Sequence, residues 1–199
     1  MRRARKISIL GLLVAAGCGE TPPPPKLPDL ADTHAITIES SWTGLSPVGR
    51  TKAIYLLERH TDEFRGSAQF EAGLRSSRRY VAESVVLPPP LAKQFLAELT
   101  DVPIRDEKPD DGAGLFVKDH YPETRITLSI TGTIVTFSSV SQHPGGRPWK
   151  VVVADKVYVS HSDTPSKAFE AIRAQLKWEL YEHLQEEVLA LSRPNNRPR

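Results

Sequence analysis

The segment Lys118-Asp119-His120-Tyr121-Pro122-Glu123 places a histidine among acidic groups, the raw material of a base with an orienting carboxylate or of a metal-ligand pair. A metal needs several ligands converging on one point, and adjacent residues of an extended segment point to opposite faces. His120 and Asp119 are therefore expected at a strand edge or in a loop, as candidate ligand-binding residues rather than a metal centre. A second candidate lies in Gln142-His143-Pro144-Gly145-Gly146-Arg147-Pro148, where the glycine amides with Arg147 offer donors to an anion and His143 adds a titratable ring. Glycines beside two prolines are first of all a turn, so His143 and Arg147 carry only the same ligand-binding expectation. The acidic run holding Asp106, Glu107, Asp110 and Asp111 has oxygen ligands for Ca²⁺, yet Pro109 interrupts it and no glutamate closes it at the EF-hand spacing. Ser138, Ser139 and Ser141 are available as hydroxyl nucleophiles, but none stands in a G-x-S-x-G turn. No catalytic set, metal or cofactor is assigned.

These residues must be positioned by what flanks them. From about His34 to Ser162 the hydrophobic period is mostly two: Ile36 and Ile38 alternate with Thr37 and Glu39, and Phe64, Gly66, Ala68, Phe70, Ala72 and Leu74 alternate with polar neighbours. With Ala53–His60 and Tyr80–Leu87, this predicts four consecutive antiparallel strands in a meander, each with one wet face. Pro88-Pro89-Pro90 ends the run, and Leu91, Phe95, Leu96 and Leu99 predict a short helix over 90–100. Residues 103–114 are expected to be a solvated loop. Gly132-Thr133 should turn a hairpin between Ile126–Ile130 and Ile134–Phe137, and Trp149–Val159 should form a strand bent near Ala154-Asp155-Lys156. At the end, Thr164 is placed to cap and Pro165 to open a long amphipathic helix whose stripe is Phe169, Ile172, Leu176, Leu180, Leu184, Val188 and Leu191. Trp178 and Tyr181 lie off that stripe and either widen its buried face or mark a partner surface. The expected fold is α+β: an antiparallel meander with a short middle helix and a long C-terminal helix packed on one face. His161 and His183 have no partner in sequence, and Trp42, Trp149 and Trp178 are too scattered for a stacking platform.

The chain has 199 residues, 39% hydrophobic and 25% charged, the composition of an ordinary globular domain. Its N-terminus differs in kind. Arg2, Arg3, Arg5 and Lys6 precede an apolar run from Ile7 to Gly17, which meets Cys18, the single cysteine. That is the layout of an export signal, and eleven residues are too few against the roughly 20 that a membrane-spanning helix requires. Removing the four basic residues takes the formal charge from +2 to −2, which leaves no electrostatic footprint for nucleic acid.

Leu13-Val14-Ala15-Ala16-Gly17-Cys18 resembles the lipobox of bacterial lipoproteins, with Ala15 where leucine is commoner. The resemblance covers about a tenth of the chain. It implies cleavage between Gly17 and Cys18, a diacylglyceryl thioether on Cys18 and acylation of the new amino terminus. Gly19 after the cysteine, in place of Asp, resembles the pattern for outer-membrane delivery in double-membraned bacteria. Two or three acyl chains hold a soluble body durably where one does not. The organisation expected is a signal peptide over 1–17, a lipidated cysteine and proline-rich tether over 18–33, one α+β domain over 34–191, and a polar tail over 192–199. Pro22-Pro23-Pro24-Pro25 favours an extended arm of about 3 Å per residue, lifting the domain about 20 to 30 Å from the lipid. A thioether cannot form a disulfide, so the domain must stand on its core alone. The functional expectation is a membrane-tethered, non-catalytic binding or interaction module for an envelope protein or small ligand. The alternative is an envelope hydrolase with His120 or His143 as base.

Overall fold

The computed structural model describes residues 25–43, 49–73, 78–108, 123–140 and 148–192. The folded body begins before the first strand. Leu27 packs against the core, the Asp29 carboxylate accepts from the Ala31 amide at 2.9 Å, and a 3-10 turn over Leu30–Asp32 buries Leu30 completely. Thr33 closes this turn by donating its hydroxyl to the Leu30 carbonyl at 2.7 Å.

Four long strands follow: β1 (Thr33–Thr43), β2 (Arg50–His60), β3 (Glu63–Gly73) and β4 (Arg78–Leu87). Helix α1 (Pro89–Thr100) leads to the short β5 (Arg105–Asp106), then to β6 (Glu123–Ile130), β7 (Thr133–Val140), β8 (Trp149–Val153) and β9 (Lys156–Ser160). Helices α2 (Thr164–Arg173) and α3 (Trp178–Ser192) complete the described chain. All nine strands form one antiparallel sheet in the order β4-β3-β2-β1-β6-β7-β8-β9-β5. The α+β meander inferred from the alternation is thus present. Among the described residues no helix is long and apolar enough to cross a membrane.

Register turns the alternation into two faces. Ile38 lies opposite Tyr55 and Ile126, and Tyr55 opposite Ala68; these side chains share the inner face with Leu57, Phe70, Leu128 and Phe137, all within the core. The outer face carries charge in neutralising pairs: Glu39 opposite Arg125, Lys52 opposite Glu71, Glu58 opposite Arg65. Exposed Leu56, Val81, Val86 and Ile134 interrupt that polar surface. At Gly66 the sheet leaves no room for a side chain, since an added Cβ would collide with the Leu56 carbonyl oxygen, and the β3–β4 register shifts just beyond it. A glycine there permits the close backbone approach and local irregularity that any larger residue would block.

The structure corrects the expectations in four places. The bent strand over Trp149–Val159 is a hairpin, β8 and β9, reversed at Ala154-Asp155 with Ala154 at φ 51°. The loop over 103–114 contains β5, which pairs with β9 at the sheet edge. The N-cap of α2 is Asp163, not Thr164, and the Thr164 hydroxyl instead contacts that of Ser162 at 2.7 Å. The single long C-terminal helix is broken: α2 ends in a 3-10 turn over Ala174–Leu176, and Lys177 adopts left-handed backbone at φ 57° before α3 begins. That break redirects α3. It sets Trp178 edge-on to Phe169 and brings Tyr181 beside Phe70 of β3.

Connections sort by length to the two ends of the sheet. Two-residue turns at Thr61-Asp62, Thr131-Gly132 and Ala154-Asp155 lie at the end where β1 begins. Positive φ at Thr61, Gly132 and Ala154 lets each strand pair reverse within two residues. The connections β1–β2, β3–β4 and β7–β8 belong to the opposite end, whereas the chain leaves β5 toward the first end and enters β6 at the opposite one. We call these the turn end and the loop end.

Candidate binding site at the loop end of the sheet

Buried polar side chains gather toward one end of the inner face. Among the described residues they are Thr33, Ser40, Thr51, Thr124 and Ser160. Thr33 belongs to the turn end and is satisfied by the Leu30 carbonyl. The other four sit toward the loop end, Ser40 opposite Thr124, Thr51 opposite Trp42, and Ser160 opposite Trp149. Strand alternation aims them inward; register sets Ser40 level with Thr124 and Thr51 two residues nearer the loop end, with Ser160 three strands away from Thr124.

Aromatic side chains connect this polar end to the helices. The Tyr181 hydroxyl donates to Thr51 Oγ1 at 2.6 Å. Its ring lies 6.0 Å from Phe70 and 4.6 Å from Trp178, and Arg173 stacks over the Trp178 ring at 4.9 Å. Trp178 and Tyr181 therefore widen the buried face of the C-terminal segment, one of the two roles open to them in the sequence. Tyr55, edge-on to Phe70 at 5.8 Å, is fully buried, and its hydroxyl finds no hydrogen-bond partner among the described residues. Burial pushes the Tyr55 hydroxyl well above the ordinary tyrosine range, with neighbouring Tyr181 adding to the shift. Burial also raises Tyr181, against the opposing hydrogen bonds to Thr51 and Gln185. Both phenols are neutral at any ordinary pH. They suit hydrogen bonding to an uncharged polar group or a buried water, and not proton transfer.

A second constellation joins α3 to β4. Glu187 Oε2 accepts from the Tyr80 hydroxyl at 2.7 Å and from Arg78 at 3.0 Å, while His183 Nε2 lies 3.4 Å from Glu187 Oε1. The Tyr80 hydrogen bond, then Arg78, holds the Glu187 carboxyl below its ordinary range; the same bond raises Tyr80. Sequence spacing carries no sign of this cluster, because its members are more than a hundred residues apart. The Arg105 guanidinium donates to His161 Nε2 at 2.9 Å, linking the end of β9 to β5. Two grooves open elsewhere. One of about 720 Å³ crosses the outer face beside Leu56, Arg65, Ser67, Glu83 and Val86; the other, about 670 Å³, lies at the turn end beside Asp29, Arg59, Lys93 and Ala97.

The residues singled out in the sequence, Gly17, Cys18, Asp119, His120, His143 and Arg147, lie outside the described residues, as do Asp110, Asp111 and Ser141. Their flanking strand ends are described. Glu123 opens β6 and Val140 closes β7, and the two are register partners at the loop end. Segments 109–122 and 141–147 thus join the sheet at neighbouring strands. Of the serines, Ser138 faces Arg125 and Lys150 across the outer face, and Ser139 lies opposite Thr124. Comparison with protein-family models, characterised proteins and solved structures finds no match to this chain.

Proposed function

We propose that this chain is a bacterial envelope lipoprotein, held to a membrane by acyl chains on Cys18, whose folded body is a non-catalytic binding or protein-interaction module. The observation that carries the tether is the order of residues at the N-terminus: four basic residues, an apolar run too short to span a bilayer, small residues at Ala16 and Gly17, then the single cysteine. Gly19 favours delivery to an outer membrane. Packing of Leu27 against the core adds support, because it leaves a short proline-bearing arm between lipid and body.

The binding role draws on the loop end. The Thr51 hydroxyl accepts from the Tyr181 phenol there, and Ser40 and Thr124 face each other on the inner face, which fits recognition of polar, uncharged groups. The helices are taken as one layer over the inner face, consistent with the Tyr181–Thr51 bond and with Phe95, Phe169 and Leu184 in the common core. In that arrangement the outer face and the loop end remain open to an envelope protein or small ligand.

Intact mass of the protein from membrane fractions of its native host tests the tether, beside a Cys18→Ala control. A species lacking residues 1–17 and carrying acyl mass, absent in the control, is the expected result. An unlipidated precursor, or a chain cut elsewhere, overturns it.

A further inference from the structure

We propose that the body is held with its turn end toward the bilayer and its loop end away from the membrane, an orientation that rests on lipidation of Cys18. The covalent path is short. Leu27 lies nine residue steps beyond Cys18, roughly 28 Å in the polyproline conformation that Pro22–Pro25 favour. From Leu27 onward the chain is no longer free: Leu27 packs on the core, Leu30 is fully buried, and the Leu30 amide reaches Thr100 of α1. The arm therefore joins the body at the end that holds the start of β1 and the turn at Thr131-Gly132.

Length decides between upright and inverted. β1 has 11 residues, so the sheet is roughly 35 Å from turn end to loop end. To bring the loop end down to the lipid with the body inverted, the arm would have to run back along that whole length, which exceeds its reach. A flat orientation meets a different obstacle. The outer face sets Glu39 against Arg125, Glu58 against Arg65, and Lys52 and Arg79 against Glu71, so its charges cancel at close range and offer little net attraction to an anionic bilayer, and seating its exposed Leu56, Val81, Val86 and Ile134 in lipid would carry those interspersed charges in with them. The loop end, with its buried hydroxyls, the start of β6 and the end of β7, is left facing outward.

The test uses the lipidated full chain in phosphatidylethanolamine–phosphatidylglycerol vesicles containing a headgroup-linked acceptor dye. A donor is attached at Thr131→Cys of the turn end or at Lys150→Cys of the loop end, the sulfur of Cys18 being blocked by its thioether. Energy transfer from position 131 is expected to exceed that from position 150 by roughly twofold or more, given the strand length between the two ends. Inserting about 20 Gly/Ser residues after Pro25 should erase most of the difference, because a flexible linker of that length no longer restricts tilt. Equal or reversed transfer, in protein whose acyl mass has been verified and which floats with the vesicles, overturns the orientation alone. Protein that neither floats nor carries acyl mass overturns the lipoprotein assignment and the orientation with it.

Discussion

The turn end and the loop end of the same sheet are built on opposite rules. At the turn end, strands reverse within two residues, Thr61 and Ala154 accept left-handed backbone without being glycine, and the buried hydroxyl of Thr33 is satisfied by its own turn. At the loop end the connections lengthen, buried hydroxyls accumulate, and the nearby Tyr55 hydroxyl is left without a partner among the described residues. Of those hydroxyls, Thr51 accepts from Tyr181 and Ser160 from the Ser162 amide, and among the described residues only the Tyr55 hydroxyl, midway along β2, is buried without a partner. For the binding role proposed above, the contrast favours the loop end as the surface to test.

The largest expected effect falls in the turn half. Gly66→Ala places a Cβ against the Leu56 carbonyl oxygen, and relief requires the β2–β3 backbones to separate. We expect a loss of about 2–4 kcal/mol, seen as a fall of roughly 10 °C in Tm. A change within about 0.5 kcal/mol would mean that this half is not tightly set and would remove one side of the comparison.

The two buried phenols probe the loop half by their difference. Tyr181→Phe leaves Thr51 without its donor and should destabilise by about 1–2 kcal/mol. Tyr55→Phe removes a hydroxyl that has no partner to lose, so denaturant midpoints should stay level or rise by up to about 1 kcal/mol. Equal losses in both variants would show that Tyr55 is satisfied in solution, by water or by residues beyond those described.

Lys177→Gly separates a broken C-terminal segment from a continuous one by sign. With Lys177 at φ 57° between α2 and α3, glycine relieves left-handed strain and should add about 0.5–1 kcal/mol. In a continuous helix the same change would subtract about 1 kcal/mol. Thermal denaturation reads the sign directly.

The smallest effect concerns acid. Glu187 has a folded-state value below its ordinary 4.5, so its contribution is present above that value and disappears as pH falls through the lowered one. Glu187→Gln should lower the urea midpoint at pH 7, and the gap to wild type should shrink progressively as pH falls below 4.5. A gap that keeps its size as pH falls would rule out the ionised carboxylate as its source.

Local pattern was enough for much of this fold. Alternation in Ile36–Ile38 and Phe64–Ala72 marked strands because period two needs no distant partner to be read, and Gly132 marked its hairpin because positive φ favours glycine. The β8–β9 reversal was hidden because Ala154-Asp155 carries no such signal. The break at Lys177 was hidden too, since Leu176 and Leu180 keep helical spacing straight through it.

By itself the sequence determined the meander and the amphipathic segments, and it alone carries the expectation of an export signal and the lipobox resemblance, all of which depend on composition and on residues within one turn or two pleats of each other. Only the tertiary structure decided which hydroxyls share a level on the inner face, that Glu187 reaches Tyr80 and Arg78, and that residues 27–32 dock at the turn end of the sheet. The physical reason is register. A buried hydroxyl's neighbours are set by pairing between strands, and α3 meets β4 only after the chain reverses at Lys177, so neither relation leaves a periodic trace along the chain.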